Sequence, residues 1–273
     1  MAHSKFSPSA SLRILALALP LTCLLGCGGS APTLPATVFP NVTGNWQFLV
    51  GTAGPGLPVL IGSPIADLSG SLSSTDGKVT GTLTSLSISI TPCISSNTDI
   101  QVSGTIDSAG NLSLTAPIAG GVATMTALVT TNPIPLFEGT YQVIGGPCAQ
   151  TSVPLRSIEV PNISGTYAGT LTESVPQTTG SLTLKATLVE STTPNADGKY
   201  PLTGSLTYSG DCTGTLSLTN YFVSGITAQS GPSSNGETFS AGVPLLPTEP
   251  LLALFTQPAG CAAIFYHGNL TLQ

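Results

Sequence analysis

Apolar and polar residues alternate along most of this chain. Leu86, Ile88 and Ile90 are interleaved with Ser85, Ser87 and Ser89; Ile100, Val102 and Ile106 with Gln101, Ser103, Thr105 and Asp107; Leu182, Leu184, Ala186 and Leu188 with Ser181, Thr183, Lys185 and Thr187. A period of two sends successive side chains to opposite faces, so these segments read as strands with one buried and one wet face. Between them fall Asp76-Gly77, Ala109-Gly110-Asn111, Asp197-Gly198, Asn235-Gly236 and Gly268-Asn269. We read these as turns, since Asp-Gly and its relatives supply the positive φ of a tight hairpin. Beyond the first thirty residues no stretch carries a 3.6-residue apolar stripe.

The pattern occurs twice. Pro40-Asn41-Val42-Thr43-Gly44-Asn45-Trp46 recurs 121 positions later as Pro161-Asn162-Ile163-Ser164-Gly165-Thr166-Tyr167, and Asp76-Gly77-Lys78 recurs as Asp197-Gly198-Lys199. Thr80-Gly81-Thr82-Leu83-Thr84 then matches Thr203-Gly204-Ser205-Leu206-Thr207 after a two-residue insertion, and Cys148-Ala149 matches Cys261-Ala262. Residues 40–160 and 161–273 are therefore two copies of one domain, each of ordinary domain size. The expected fold is all-β: two tandem antiparallel meanders, closed into small barrels or flattened into sandwiches, with about seven or eight strands each.

Composition narrows the setting. Charged residues make up 7% of the chain, while it holds 32 Ser, 38 Thr, 31 Gly and 23 Pro. Ordinary soluble domains carry roughly 25% charged residues. A hydrophobic share of 41% is enough for a core, so the low charge marks hydroxyl-covered surfaces on a folded protein and not a charged disordered chain. From residue 27 onward, Lys78, Arg156, Lys185 and Lys199 face all twelve acids, which argues against binding to nucleic acid or anionic lipid.

The N-terminus carries an address. Lys5 and Arg13 precede an apolar run from Ile14 to Leu25, and Leu24-Leu25-Gly26-Cys27 follows. A membrane span needs about twenty apolar residues, and Pro20 interrupts a run already shorter than that. The segment resembles a bacterial lipobox, with Gly26 as the small residue before the cysteine. The resemblance implies a signal peptide over 1–26, a diacylglycerol on the Cys27 sulfur, and membrane attachment through that anchor. Gly28 is not the aspartate that retains some such lipoproteins in the inner membrane, which points to the outer membrane and the cell surface. Residues 27–39 then read as a flexible tether.

Candidate chemistry is sparse. With Cys23 in the leader and Cys27 lipidated, Cys93, Cys148, Cys212 and Cys261 remain, and of their three pairings only Cys93–Cys148 with Cys212–Cys261 respects the repeat. His267 is the one histidine after the leader, no G-x-S-x-G elbow occurs, and no cysteine or histidine cluster spells a zinc site. The acids are scattered singly, without the clustered oxygens of a calcium loop. No catalytic residue, metal or cofactor is assigned. Asn41, Asn111, Asn162 and Asn269 lie in N-x-S/T triplets and are read as turn and strand-end residues.

Gly44-Asn45-Trp46 resembles the G-x-W that opens lipocalin barrels, although the second copy has Gly165-Thr166-Tyr167; structurally, Trp46 is read as an aromatic plug at one end of its domain. The mature chain as a whole resembles uncharacterised bacterial surface lipoproteins built from Ser/Thr/Gly-rich β-meander repeats. Two proline-bearing apolar stretches, around Leu57 and Leu60 and around Leu245 and Leu251, are the candidate contact residues. The expected function is a lipid-anchored, non-enzymatic binding or interaction module for an envelope protein, a glycan or an apolar ligand. A lipocalin-like carrier of a small apolar ligand is the alternative, and a carboxylate-dependent hydrolase the third reading.

Overall fold

The computed structural model describes residues 37–51, 66–85, 98–130, 135–173, 180–230, 236–246, 248–262 and 264–273. They form sixteen strands in two closed, up-and-down, antiparallel barrels of eight. The first contains β1 (Gly44–Val50), β2 (Ala66–Thr75), β3 (Lys78–Ser85), β4 (Asp99–Ile106), β5 (Asn111–Ile118), β6 (Gly121–Thr130), β7 (Leu136–Ile144) and β8 (Gln150–Val160), closed by pairing of β8 with β1. The second contains β9 (Gly165–Glu173), β10 (Ser181–Glu190), β11 (Tyr200–Gly210), β12 (Gly214–Ser224), β13 (Thr227–Ser230), β14 (Thr238–Gly242), β15 (Leu251–Thr256) and β16 (Phe265–Leu272), closed by β16 on β9. Closure leaves neither sheet with an exposed edge, which suits a chain with few charges to guard one.

Alternation becomes inside and outside directly. Along β10, Leu182, Leu184, Ala186 and Leu188 are buried and the intervening residues exposed. In β4, Ile100, Val102 and Ile106 do the same. Asp76 and Gly77 adopt φ of 50° and 75°, and Thr75 pairs with Lys78 across the two-residue hairpin that this geometry permits. Gly268-Asn269, read as a turn, instead lies inside β16. There Gly268 opposes Ala253, and an added Cβ would come within 2.4 Å of the Thr170 carbonyl oxygen. The glycine serves a close strand approach, and local turn signals do not separate the two uses. Residues 86–90, read as strand, lie outside the described residues.

Each barrel is filled by its own core. In the first, Trp46 is fully buried, stacks on Phe137 with ring centroids 4.0 Å apart, and donates its indole N–H to the Val42 carbonyl at 3.0 Å. Phe48, Leu68, Leu72, Leu83, Leu114 and Met125 pack around this pair. In the second, Tyr208 meets Phe255 edge to face at 5.1 Å, among Leu184, Leu206, Phe239 and Leu270. Burying large aliphatic and aromatic groups is the main favourable term in each barrel.

The repeated Pro-Asn-x-Ser/Thr-Gly segment does the same work twice. Asn41 Oδ1 accepts from Thr43 N at 3.0 Å, and Asn162 Oδ1 from Ser164 N at 2.8 Å. The hydroxyls of Thr43 and Ser164 then accept from the backbone N–H of Ser74 and Glu190, each at 2.9 Å. Each segment thus ties the start of its first strand to the end of the second. The side chain at the tie differs: Ser74 Oγ accepts from Val42 N in the first barrel, the Glu190 carboxylate from Ile163 N in the second.

Candidate functional site

Polar residues on the outer face of a two-layered barrel should be wet, yet on β1 and β2 they are not. Asn45, Gln47, Ser69 and Ser71 point away from the first core and are all buried. The first three are covered by the β12–β13 turn of the second barrel. Asn45 and Gly225 exchange two hydrogen bonds, Gly225 N to Oδ1 at 2.8 Å and Nδ2 to Gly225 O at 3.2 Å. Ile226 N donates to Gln47 Oε1 at 3.1 Å, and the hydroxyls of Ser69 and Ser224 meet at 2.7 Å. Gly225 has φ of 54°, and an added Cβ would fall 1.9 Å from Gln47 Oε1, so both conformation and space demand glycine. Gln47 also donates to Asp67, whose carboxyl burial pushes up to about 6.

Beside this joint is a cleft of about 650 Å³. One wall is the outer face of β2, β3 and β4, where pairing aligns two rows of three polar residues. Ser71, Thr82 and Gln101 form one row, and Ser73, Thr80 and Ser103 the other. Thr82 Oγ1 donates to Gln101 Oε1 at 3.1 Å and fixes its carboxamide. The opposite wall is the β10–β11 loop of the second barrel, through Thr192, Thr193 and Pro194, with Tyr200 behind it. Ser191 braces that loop through hydrogen bonds with Thr193, and Asn195 Oδ1 accepts from Asp197 N and Lys199 N. Gly198 seats the loop on the first barrel, since its Cβ position lies 2.3 Å from the Thr82 carbonyl oxygen.

Among the described residues Tyr200 is the one ionisable side chain lining this cleft, and it is held neutral. Its phenol is pushed up to about 12, by burial first and then by the charges of Glu190 and Glu159. Glu190 points into the second barrel; burial raises it to about 7, and the hydrogen bond from Ile163 N offsets only part of that. Glu159 lies opposite Trp46 on β8 and β1, so it shares the inward face of the first barrel, where burial raises it too.

A second group of acids gathers around the loops at the far end of the second barrel. Glu237 Oε1 accepts from Ala259 N at 2.7 Å and from Tyr208 at 3.5 Å, while Tyr266 donates to Asp211 at 3.4 Å. Asp211 and Glu173 both approach Gly180. No group of three metal-binding side chains occurs among the described residues.

The residues singled out from the sequence fall elsewhere. Cys27, Leu57, Leu60 and Cys93 lie outside the described residues. Cys212 and Cys261 are bonded, with Cα atoms 5.0 Å apart, and Cys148 is disulfide-bonded as well. Leu245 is half-buried. Leu251, read as a contact residue, has no exposed surface and belongs to the second core. Its place on a strand turns it inward, and the residues left outside are Leu252 and Leu254. His267 is exposed on β16; of the sequence neighbours Tyr221-Phe222 and Phe265-Tyr266, Tyr221 and Tyr266 are buried, Phe265 is exposed and Phe222 is half-buried under Lys199. Asn45, Gln47 and the six residues of the cleft wall went unnoticed because each occupies an ordinary outward position. Only the covering by a distant segment distinguishes them.

Comparison with protein-family models, with curated proteins and with solved structures gives no match.

Proposed function

We propose that the protein is a lipid-anchored component of the bacterial cell envelope, held at the outer membrane through Cys27, which binds a partner without chemical turnover in the cleft between its barrels. The observation that carries this reading is the lining of the cleft. Nine residues with hydroxyl or carboxamide side chains line it, and its one ionisable residue, Tyr200, is neutral. Such a surface can recognise through hydrogen bonds but offers no activated nucleophile and no carboxylate pair. A carrier of an apolar ligand has less support, because Trp46, Phe48 and Phe137 occupy the lumen that a lipocalin would leave open.

The test uses the full chain with Cys27→Ser, which should leave the membrane fraction because the lipid chains are the anchor. This soluble form should capture an envelope protein, glycan or lipid, and Thr80→Trp, which fills the cleft from an exposed outward position, should abolish that capture without loss of folding. Saturable turnover in a glycosidase or esterase panel would overturn the reading. So would retention of the Cys27→Ser protein on membranes in high salt.

A further inference from the structure

We infer that the cleft takes a neutral, polyhydroxylated chain, an oligosaccharide segment of a few sugar units; this rests on the binding reading above and narrows its ligand class. The wall is a regular array. Ser73, Thr80 and Ser103 stand side by side, exposed, on three paired strands; in the parallel row Gln101 is exposed, while Ser71 and Thr82 are buried. Neighbouring strands are about 4.8 Å apart, a spacing comparable to the length of one pyranose unit, so successive sugars laid across the strands meet successive polar side chains. Each hydroxyl both donates and accepts, as do the hydroxyls of a sugar, and a carboxamide offers both functions at fixed ends. The hydrogen bond from Thr82 engages only the oxygen of Gln101, leaving its NH2 group out of that contact.

Other ligand classes fit worse. An anionic ligand would find no cation among the lining residues, and a cationic one no carboxylate. An apolar ligand would strip water from the seven exposed polar side chains of the lining without replacing their hydrogen bonds. A polypeptide adding a strand needs a free sheet edge, and both barrels are closed. A sugar chain exchanges hydroxyl for water hydroxyl at low cost, and the Pro194 ring gives the apolar face of a pyranose something to rest on.

The experiment titrates the full Cys27→Ser chain by calorimetry and ligand-observed NMR with chitohexaose, cellohexaose and maltohexaose, and with a galacturonic acid hexamer as the charged comparison. Chitohexaose stands for an N-acetylated wall-type strand and the two glucans for glycans met outside the cell, so the preferred oligomer identifies the source. The expected result is saturable binding of at least one neutral oligomer, weakened at least tenfold by Gln101→Leu and by Ser103→Val. Thr126→Val, which removes an exposed hydroxyl on β6 away from the cleft, should leave it unchanged. No saturable binding of a neutral oligomer, equal or tighter binding of the charged hexamer, or binding indifferent to Gln101→Leu and Ser103→Val would overturn the inference. If Thr80→Trp abolishes capture of a polypeptide while no oligosaccharide binds, the ligand class is wrong and the binding module stands; if nothing is captured in a cleft-dependent way, both fall.

Discussion

The walls β1–β4 and β9–β12 descend from the same repeat, yet one is covered and the other wet. By strand register Asn45, Gln47, Asp67 and Ser69 correspond to Thr166, Ala168, Thr183 and Lys185. The first set grips the Ser224-Gly225-Ile226 turn directly or, for Asp67, through Gln47; the second has neither the carboxamides to do so nor room for a turn beside Lys185, which a docked neighbour would have to desolvate. The hydroxyl array also survives only in part. Thr187, Ser205 and Ser217 repeat one row, but Val189, 56% exposed, replaces Ser73, and a bulge between Leu202 and Gly204 breaks the second row. The connections differ as well: two residues join β2 to β3, whereas nine join β10 to β11, and the longer loop supplies the far wall of the cleft. A hydroxyl-covered sheet becomes a concave site only where a second element faces it.

The largest expected difference between the copies lies in their cores. Trp46→Ala removes a fully buried indole, its stack on Phe137 and its hydrogen bond to Val42, and should cost about 3–5 kcal/mol. Tyr167→Ala, at the matching position and 6% exposed, should cost less. Urea unfolding of both variants checks this, and equal losses would mean that the two aromatics are equivalent plugs.

Next comes the joint. Asn45→Ala with Gln47→Ala leaves the N–H groups of Gly225 and Ile226 without these acceptors, for about 2 kcal/mol in all. Thr166→Ala on the wet wall should stay within about 0.5 kcal/mol. Small-angle scattering should report a larger radius of gyration for the double variant alone. An unchanged radius would show that the Ser69–Ser224 contact and apolar packing suffice to hold the barrels together.

The smallest effect is a pH dependence in which the matching ties of the two barrels differ. Glu190 is held above its ordinary 4.5, at about 7, so the folded chain binds that proton more tightly than the unfolded one. The stabilisation is complete below pH 4.5 and is lost as pH rises through about 7. Its size should be on the order of 1 kcal/mol, because solvent screens part of the burial effect. Glu190→Gln should flatten this slope, and Ser74→Ala at the matching tie should leave it alone. Asp67, raised to about 6, and Glu159, also raised by burial, add slopes of the same sign that Glu190→Gln does not touch. A slope unaltered in Glu190→Gln would assign it to Asp67 and Glu159 of the first barrel.

Much of this was legible in advance because a period of two is a local property. Leu182, Leu184, Ala186 and Leu188 announce a strand with one buried face, and β10 is that strand. Asp76-Gly77 announces a hairpin because positive φ is a demand on those two residues alone. The same logic misread Gly268, where the demand came from Thr170 on a neighbouring strand, and Leu251, where residue type suggested a loop contact and strand phase put the side chain inside.

The sequence by itself determined the alternating strands, the repeat and the sparse charge, since each is a matter of residue type at fixed spacing. Only the tertiary structure decided that each meander closes at eight strands, and that the bottom of one barrel rests on the wall of the other. Asn45, Ser71 and Gln101 have the chemistry of any wet strand position; burial at the joint and enclosure in the cleft come from Gly225 and Thr193, more than ninety residues away in the chain, and no local pattern encodes an approach over that distance.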